Sequence, residues 1–376
     1  MKRALVPVAL LAFAAACGPK PEPLQLPDDP AETGVPVGVR TFSVGELVVE
    51  AWYPASDAVA GEPTEILSLA EWIPIAFTER VGEIDAPTLQ TPAVRDAELR
   101  VPESPYPVVI FSHGLAAFRS QSIDLVTHLA SRGYVVVATD HIGRSFPDLL
   151  PCVFDPAPDD CTLGTAFDDP APPQVAEVVT WLEAANVEEK GFFEEALDLE
   201  RLVLSGHSAG SSTTATVGQE DERFVALLQL AGARSITREV PVLAMGATCD
   251  TFVTDQDMRE GIAGTATGNL VQIAGAGHLA FSDMCEMGLV ELGQAHLEGR
   301  TDLNQFIYDI LIELGSDGCP GHELPNMPQA CLDSGYLPLA TSDRIIRHYT
   351  TAFLDDVLFG RGPGAQAGVF PEAEMQ

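Results

Sequence analysis

Short apolar runs of strand length recur along the chain, and most of them are followed by a stretch with helical spacing. The runs lie at residues 46–54, 106–114, 134–141, 201–208, 224–232, 241–250 and 269–278. The first run alternates apolar and polar residues and stops at Pro54, which predicts a half-exposed strand. The second and third are apolar and rich in β-branched residues, which is typical of strands buried on both faces.

Apolar residues with helical spacing predict the intervening helices. These helices are expected at residues 120–133, 174–185, 209–218 and 342–360. Gly133 is suited to stop the first helix, Ser342 or Asp343 to cap the last one, and Gly360 to end it. Such an alternation of strands and helices predicts a mostly parallel central sheet with helices on both faces.

Polar side chains follow the predicted strands at the points where those strands end. The carboxyl ends of parallel strands share one edge of the sheet, and the active sites of such sheets lie there. The residues concerned are His113, Asp140, Ser208, Asp250 and His278. Two longer stretches are candidate lids over that edge, namely residues 142–173 and an insertion at 281–341 before the last helix.

Ser208 lies in the sequence GHSAG, between the strand RLVLS and a helix rich in small residues. In this context the pattern G-x-S-x-G is typical of a nucleophile on a strained turn, where glycines leave room for neighbouring backbone. The five residues alone would also fit an ordinary tight turn. A nucleophilic serine needs two N–H donors for the anion formed on attack. We assign these to Ala209 and to Leu115, which lies in the loop FSHGLAAFRSQ.

A serine nucleophile also needs an adjacent base and a carboxylate that orients the base. His278 follows the last of the predicted strands named above, and Asp250 follows the strand before it. The chain order Ser208, Asp250, His278 is the order expected of this kind of sheet. Asp250 would also fit as a loop-capping residue, and Asp255 and Asp257 are nearby competitors for the role of acid.

Five motifs together carry a resemblance to a known family: VEAWYP, VVIFSHGLAAFRSQ, GHSAG, GATCD and GAGHLAFSD. They resemble the α/β-hydrolase branch that holds platelet-activating-factor acetylhydrolases, predicted dienelactone hydrolases and related polyester hydrolases. The resemblance implies an α/β-hydrolase fold and a serine carboxylester hydrolase with Ser208 as nucleophile and His278 as base. It also implies that Leu115 and Ala209 are the oxyanion donors.

The chain departs from the acetylhydrolases at one point. Those enzymes take their acid from the strand directly after the nucleophile helix, and here that strand reads ALLQLAGA, without a carboxylate. The acid is therefore expected at Asp250, its more common place in the wider fold. Members with the dienelactone hydrolase name proper use a cysteine nucleophile, whereas this chain has Ser208.

The leading hypothesis is hydrolysis of short-chain or lipid-type carboxylic esters through an acyl-enzyme on Ser208, with no metal or cofactor. Two alternatives remain open. One is a catalytically inactive lipoprotein that keeps the fold for binding. The other is acyl transfer or peptide hydrolysis by the same three residues, because such a triad specifies only acyl chemistry.

Length and composition narrow the classes of partner. The chain has 376 residues, of which 46% are hydrophobic and 20% charged, and this is typical of a globular α/β protein with a sizeable core. Acidic residues outnumber basic ones 55 to 20, which gives a formal net charge of −35. Such a polyanion repels phosphate backbones, so nucleic acid is excluded as a partner.

The N-terminus predicts export. Lys2 and Arg3 precede an apolar run over residues 4–16, which is too short to span a bilayer and is typical of a signal peptide. The run ends in small residues before Cys17, an arrangement that resembles the lipidation site of bacterial lipoproteins. Residues 17–34 then form a lipidated cysteine and a proline-rich tether, followed by a hydrolase domain over 35–376. An ordinary signal peptide with an unrelated Cys17 is the alternative.

This assignment predicts an exported bacterial lipoprotein of the cell envelope, attached to the membrane through Cys17. Six other cysteines remain, an even number that suggests disulfides in an exported protein. Pairing between neighbours along the chain predicts Cys152–Cys161, Cys249–Cys285 and Cys319–Cys331. The second of these bridges would join the loop of the acid to the loop of the base. Some of these cysteines being free and buried is the alternative.

Overall fold

A ten-stranded sheet forms the centre of the molecule. The computed structural model describes residues 34–72, 88–149, 169–300, 331, 336–361 and 370–375. The strands of the large sheet follow the order β12-β11-β10-β9-β8-β6-β7-β2-β1-β5, while β3 and β4 form a separate antiparallel pair. The strands are β1 (Val37–Val44), β2 (Leu47–Pro54), β3 (Ile66–Ser68), β4 (Thr88–Gln90), β5 (Ala93–Arg95), β6 (Tyr106–Ser112), β7 (Val135–Thr139), β8 (Leu197–His207), β9 (Phe224–Leu230), β10 (Val242–Ala247), β11 (Gly268–Ile273) and β12 (Ala373–Met375).

In the described part of the large sheet, neighbouring strands are parallel along the row β7-β6-β8-β9-β10-β11, and β5 is parallel to β1. The antiparallel pairs of this sheet are β2–β7, β1–β2 and β11–β12. The helices are α1 (Ile123–Ser131), α2 (Ala171–Val187), α3 (Ala209–Glu220), α4 (Asp255–Ile262), α5 (Val290–Leu297) and α6 (Leu339–Phe359). The mostly parallel sheet with helices on both faces, which the sequence predicted, is confirmed.

Successive residues of the central strands face two separate apolar layers. In β6, Val109 and Phe111 pack in one layer with residues of α1 and α6. Their neighbours Val108 and Ile110 pack in the other layer with residues of α2 and α3. A strand buried on both faces cannot alternate between apolar and polar residues, which explains the unbroken apolar run at 106–111.

Two details of the sequence prediction were wrong. Strand β2 is buried on both faces, with only Val48 substantially exposed at 40%, because Trp52 packs in the layer of α1 and α6 while Val49 and Tyr53 pack in the layer of α2 and α3. Helix α6 begins at Leu339 after Pro338, so Ser342 and Asp343 lie inside the helix and do not cap it. Its end at Gly360 agrees with the prediction, since this residue has the left-handed φ of 61°. Strand β1, the short strands β3, β4, β5 and β12, and helices α4 and α5 were not predicted.

The first part of the predicted insertion packs in the core instead of covering the sheet edge. Met287 and Leu292 are buried in the same apolar layer as α1 and α6. The rest of both candidate lids, at 150–168, 301–330 and 332–335, lies outside the described residues. So do the predicted signal peptide, Cys17 and most of the tether. Among the helices that the structure describes, none has both the length and the apolarity needed to cross a membrane.

The predicted disulfide pairs Cys249–Cys285 and Cys319–Cys331 were wrong, because Cys285 is bonded to Cys331. Pairing by nearest neighbours assumed that each intervening segment closes on itself. Instead, Cys285 lies in a buried turn after the base loop, where Leu279 and Leu289 pack against Cys331 and Leu339. Cys249 is also in a disulfide, with a partner outside the described residues. Cys152 and Cys161 lie outside them too.

The Cys285–Cys331 bond closes a loop of 46 residues. Loop-closure entropy predicts that this bond stabilises the fold by about 4 kcal/mol. Cys285→Ala and Cys331→Ala are each expected to lower the free energy of unfolding, measured in urea, by about 2–4 kcal/mol. The double variant should lose no more than either single variant, since both remove the same bond. Non-reducing peptide mapping that joined Cys285 to Cys249 would contradict this assignment.

Candidate active site

Ser208 forms the sharp turn between β8 and α3. Its backbone has φ 55° and ψ −115°, a conformation that non-glycine residues rarely adopt. Its N–H donates a hydrogen bond of 2.8 Å to the carbonyl oxygen of Leu230, at the end of the adjacent strand β9. Strain of this kind persists where surrounding structure enforces it, and it is expected at a nucleophile between strand and helix.

The two glycines of GHSAG are required by close approach of backbone to backbone. A Cβ atom at Gly206 would lie 2.2 Å from the carbonyl oxygen of Gly210. A Cβ atom at Gly210 would lie 1.9 Å from the carbonyl oxygen of Ser112, the last residue of β6. Both distances are far below van der Waals contact, so only glycine fits. The turn of Ser208 is therefore held directly against the end of β6.

Asp250 and His278 form a buried hydrogen-bonded pair. They follow β10 and β11, and Asp250 Oδ2 lies 2.7 Å from His278 Nδ1. The second oxygen, Oδ1, accepts the N–H groups of Phe252 at 2.8 Å and Val253 at 2.9 Å. The carboxylate is thereby fixed on both oxygens. Since Nδ1–H donates to Asp250, the other imidazole nitrogen of His278 is left as the acceptor, the form that a general base needs.

The competing carboxylates are engaged elsewhere. Asp257 forms a capping box with Thr254, the N-cap of α4, in which Asp257 Oδ2 accepts the N–H and hydroxyl of Thr254 at 2.9 and 2.6 Å. Asp255 pairs with Arg259 one turn later on the same helix. Neither residue therefore replaces Asp250 as the partner of His278.

The loop after β6 carries the predicted oxyanion donor Leu115. His113 Nε2 accepts the N–H of His141 at 3.0 Å, so its Nδ1 carries the proton and donates to the Gly114 carbonyl at 2.7 Å. In a trans peptide the N–H points opposite to the C=O, so this bond also orients the N–H of Leu115. A Cβ atom on Gly114 would lie 3.4 Å from Ser208 Cβ, which shows how close this loop comes to the serine.

Ala209 is the first residue of α3. The first N–H groups of a helix have no partner within the helix and carry its positive dipole end. Ala209 and Leu115 therefore stand on the two segments that flank Ser208, one on the serine's own helix and one on the neighbouring loop.

Arg144 is a buried residue of this region that the sequence analysis missed. Its guanidinium donates to the hydroxyl of Ser112 at 2.7 Å and to the carbonyl of His113 at 2.8 Å. It also reaches the hydroxyl of Thr213 on α3 and the carboxylate of Asp169. Burial lowers the pKa of Arg144 to about 10, so it remains charged at neutral pH. A single arginine in a polar stretch gives no local signal for such a role.

Asp140 and His141, which follow β7, form hydrogen bonds with the end of β6 and with the loop after it. Asp140 Oδ1 accepts the backbone N–H of Arg119 at 2.7 Å, and its other oxygen pairs with the Arg119 guanidinium. Arg119 also contacts the buried carboxylate of Glu50 at 3.1 Å. His141 Nε2 lies 2.9 Å from the Ser112 hydroxyl. Of the five polar residues predicted at strand ends, His113 and Asp140 therefore hold structure and do not join the pair of Asp250 and His278.

His207, next to the serine, is completely enclosed beside the proposed base. Its ring centroid lies 4.9 Å from that of His278. Burial and the proximity of His278 lower the pKa of His207 to about 3. His207 is therefore neutral at physiological pH, and it does not compete with His278 for a proton.

Comparison with known proteins places this geometry in context. A family model described as platelet-activating factor acetylhydrolase, isoform II, matches residues 44–147. This range contains the loop of Leu115 and ends before Ser208. Similar curated proteins include two named platelet-activating factor acetylhydrolase. One from Bos taurus is 46% identical over 54 residues, which is 14% of this chain and 12% of that protein. One from Cavia porcellus is 27% identical over 162 residues, which is 36% of this chain and 37% of that protein.

The chain thus covers only 12% and 37% of the lengths of these two curated relatives. Similarity to a solved structure extends much further along the chain. A ferulic acid esterase from Streptomyces cinnamoneus matches with a TM-score of 0.53 and 20% identity, over 91% of this chain and 96% of that one. At this level of identity the similarity shows the fold, which is the α/β-hydrolase fold.

The geometry predicts a selective effect of Asp250→Asn. In the wild type one carboxylate oxygen accepts from His278 and the other accepts from Phe252 and Val253. The side chain of asparagine has only one acceptor oxygen, so it cannot make both sets of hydrogen bonds. His278 then takes the other tautomer, with its proton on Nε2, and can no longer accept the proton of Ser208. Reaction of Ser208 with a fluorophosphonate is therefore expected to slow by a factor on the order of 10³–10⁴. Asp255→Asn, on the exposed face of α4, is the matched control and should label at the wild-type rate. Equal labelling rates for the two variants would contradict the role of Asp250.

Proposed function

We propose that this chain, which fits an α/β-hydrolase esterase family, is a serine carboxylic ester hydrolase that works through an acyl-enzyme on Ser208. The observation that carries the proposal is the buried pair of Asp250 and His278 beside the strained turn of Ser208. Family model, relatives and fold all support a carboxylic ester hydrolase. The serine nucleophile and the class of ester are the parts proposed here.

In the first half-reaction, His278 removes the proton from the Ser208 hydroxyl as its oxygen attacks the ester carbonyl carbon. The carbonyl π electrons move to oxygen, and the N–H groups of Leu115 and Ala209 stabilise the resulting oxyanion. When the tetrahedral intermediate collapses, the bond to the alcohol oxygen breaks. The imidazolium of His278 gives its proton to that oxygen, which leaves an acyl group on Ser208.

In the second half-reaction, water attacks the acyl carbon and gives its proton to His278. Collapse of this second intermediate releases the carboxylic acid and returns the proton to the serine oxygen. The buried carboxylate of Asp250 stabilises the imidazolium in both halves. Its hydrogen bonds to Phe252 and Val253 keep it in place.

Short-chain or lipid-type esters are the proposed substrates. Two large apolar side chains lie exposed beside the catalytic groups: Leu115 is 41% and Phe252 43% exposed. The Phe252 ring centroid is 5.6 Å from that of His278. Apolar surface at this position favours the acyl or alcohol portion of an apolar ester over a charged one, because burying it against the substrate removes it from water.

We further propose that the protein is an exported lipoprotein held at the cell envelope through Cys17. The support is the N-terminal sequence alone, with its basic start, apolar run and small residues before the cysteine. Expression of the full chain with an alkyne-labelled fatty acid should label the wild type. Cys17→Ser should remain unlabelled, and equal labelling of both would contradict this proposal.

Ser208→Ala is the direct test of the nucleophile. The wild type should react with a fluorophosphonate probe and hydrolyse nitrophenyl esters with a burst equal to the enzyme concentration. Ser208→Ala should lose the label, and its hydrolysis rate should fall by a factor on the order of 10⁶. Ser235→Ala is the control, because it removes one exposed serine hydroxyl that binds the carbonyl of Gly261 and not the turn of Ser208, and it should retain labelling. A wild type without label or turnover would support a binding protein instead.

Phe252→Ala tests the proposed class of ester. Since its backbone N–H still binds Asp250, the variant should keep its turnover on acetyl esters. KM for butyryl and longer acyl esters should rise severalfold, by the order of 1–2 kcal/mol expected for an apolar side chain. Val187→Ala removes another exposed apolar residue, at the end of α2, and should change neither value. An unchanged chain-length profile in Phe252→Ala would remove this residue from substrate recognition.

A further inference from the structure

A buried row of hydrogen bonds crosses the floor of the candidate site and is separate from the pair of Asp250 and His278. The N–H of Gly114 donates to Gln121 Oε1 at 2.8 Å. Gln121 Nε2 lies 2.8 Å from His207 Nδ1, and His207 Nε2 lies 3.1 Å from the carbonyl oxygen of His278. The row therefore connects the oxyanion loop, the nucleophile turn and the backbone of the base.

The chemistry of the partners fixes the direction of each bond in the row. The carbonyl of His278 can only accept, so His207 Nε2 carries the proton. His207 Nδ1 is then an acceptor, and it faces the Gln121 amide nitrogen, which can only donate. The remaining oxygen of Gln121 accepts the N–H of Gly114. Every donor meets an acceptor only when His207 is neutral and position 121 supplies one acceptor and one donor.

The backbone of Gln121 makes a second connection between the same two loops. Its carbonyl oxygen accepts the N–H of Asp283 at 2.8 Å. The next residue, Ser122, donates its hydroxyl to the carbonyl of Phe281 at 2.9 Å. Asp283 in turn accepts the N–H of Asp124, at the start of α1, at 3.1 Å. The segment after the oxyanion loop and the segment after the base are thus joined by side chains and backbone together.

We propose that Gln121 and His207 are positioning residues that hold the oxyanion donor of Leu115 and the base His278 at a fixed separation across Ser208. The proposal rests on the proposed esterase function. Neither residue touches the reacting atoms in this assignment. They act through the peptide of Gly114 and through the backbone carbonyl of His278.

A glutamine suits position 121 because its amide has both an oxygen that accepts from Gly114 and an N–H group that donates to His207. A carboxylate has no proton for the second of these bonds. An ionised glutamate could accept from Gly114 but could not donate to His207 Nδ1. Only a pair that holds one additional proton, on the carboxyl group or on the imidazole, restores both bonds. Gln121→Glu should therefore work at low pH and lose activity as the pH rises and this proton is released.

The ionisable groups that interact with His207 are His278, with Asp250 behind it, and His113 at the end of β6. All three of these histidines are buried, and the pKa of His113 is lowered well below its usual value by burial and by the charge of Arg144. His278 is therefore the histidine of this group that must change its protonation in the wild-type reaction. Burial also raises the pKa of Asp283, whose N–H binds the carbonyl of Gln121, but this carboxyl group is common to the wild type and the variant. A titration that appears only in the ratio of variant to wild-type activity is therefore assigned to the pair at 121 and 207.

The experiment compares kcat and KM for a nitrophenyl ester from pH 5 to 9 in the wild type, Gln121→Glu, Gln121→Met and Gln219→Glu. Gln219 is the matched control, because its oxygen also accepts backbone N–H groups but no histidine lies on its amide. Gln121→Met should lower kcat by about 10²-fold at every pH with KM within twofold, as expected when an oxyanion donor is misplaced. Gln121→Glu should approach the wild type at low pH and fall tenfold per pH unit at high pH.

Two results would overturn the proposal: a constant ratio of Gln121→Glu to wild-type activity across this pH range, or a Gln121→Met variant with wild-type kcat. A wild type that neither hydrolyses esters nor reacts with a fluorophosphonate overturns the esterase function and the positioning role together. Nitrogen NMR of the His207 ring in the wild type tests the row without any variant. Protonation at Nε2 is expected, and protonation at Nδ1 overturns the proposal.

Discussion

The candidate site depends on one close approach of backbone to backbone, between the start of α3 and the end of β6. Gly210 lies so near the carbonyl of Ser112 that a single added carbon atom would be 1.9 Å away. This contact places the strained turn of Ser208 against the strand from which the oxyanion loop departs. A side chain at Gly210 would separate these two segments, and no rearrangement of nearby side chains would bring them back together, because the neighbouring atoms belong to the backbone. The parallel neighbours β6 and β8 are therefore held in a register that a nucleophile and an oxyanion donor can share.

Around this contact, polar groups are buried in large numbers and must satisfy one another. A buried donor or acceptor that loses its partner costs roughly 1–3 kcal/mol, and a buried charge costs more. Arg144 illustrates the consequence, because its guanidinium meets Ser112, His113, Thr213 and Asp169 at once. Moving the oxyanion loop would break several of these bonds together. These bonds therefore attach the irregular loop after β6 to the elements around it.

Three buried histidines, His113, His141 and His207, contribute to this arrangement as neutral hydrogen-bonding groups. Burial lowers the pKa of each of them, so their ring nitrogens keep one donor and one acceptor. Each ring spans two segments that are distant in sequence. His278 differs from them because its Nδ1 meets a carboxylate, and a carboxylate stabilises the charge that a base acquires. The environment thus separates one histidine suited to proton transfer from three suited to holding structure.

The sequence by itself determined the class of fold, the central strands and the turn of Ser208. Apolar runs of β-branched residues specify strands buried on both faces, and small residues around the serine specify a close turn, so both signals are local. It also indicated that Asp250 and His278 end neighbouring strands. Only the tertiary structure decided that Asp250 and not Asp255 or Asp257 meets His278, and that Cys285 pairs with Cys331. It alone decided that β2 is buried and that Gln121 and Arg144 lie beneath the oxyanion loop. These outcomes depend on hydrogen bonds and packing between residues far apart in the chain. Hydrophobic periodicity reports only local structure and does not predict such contacts.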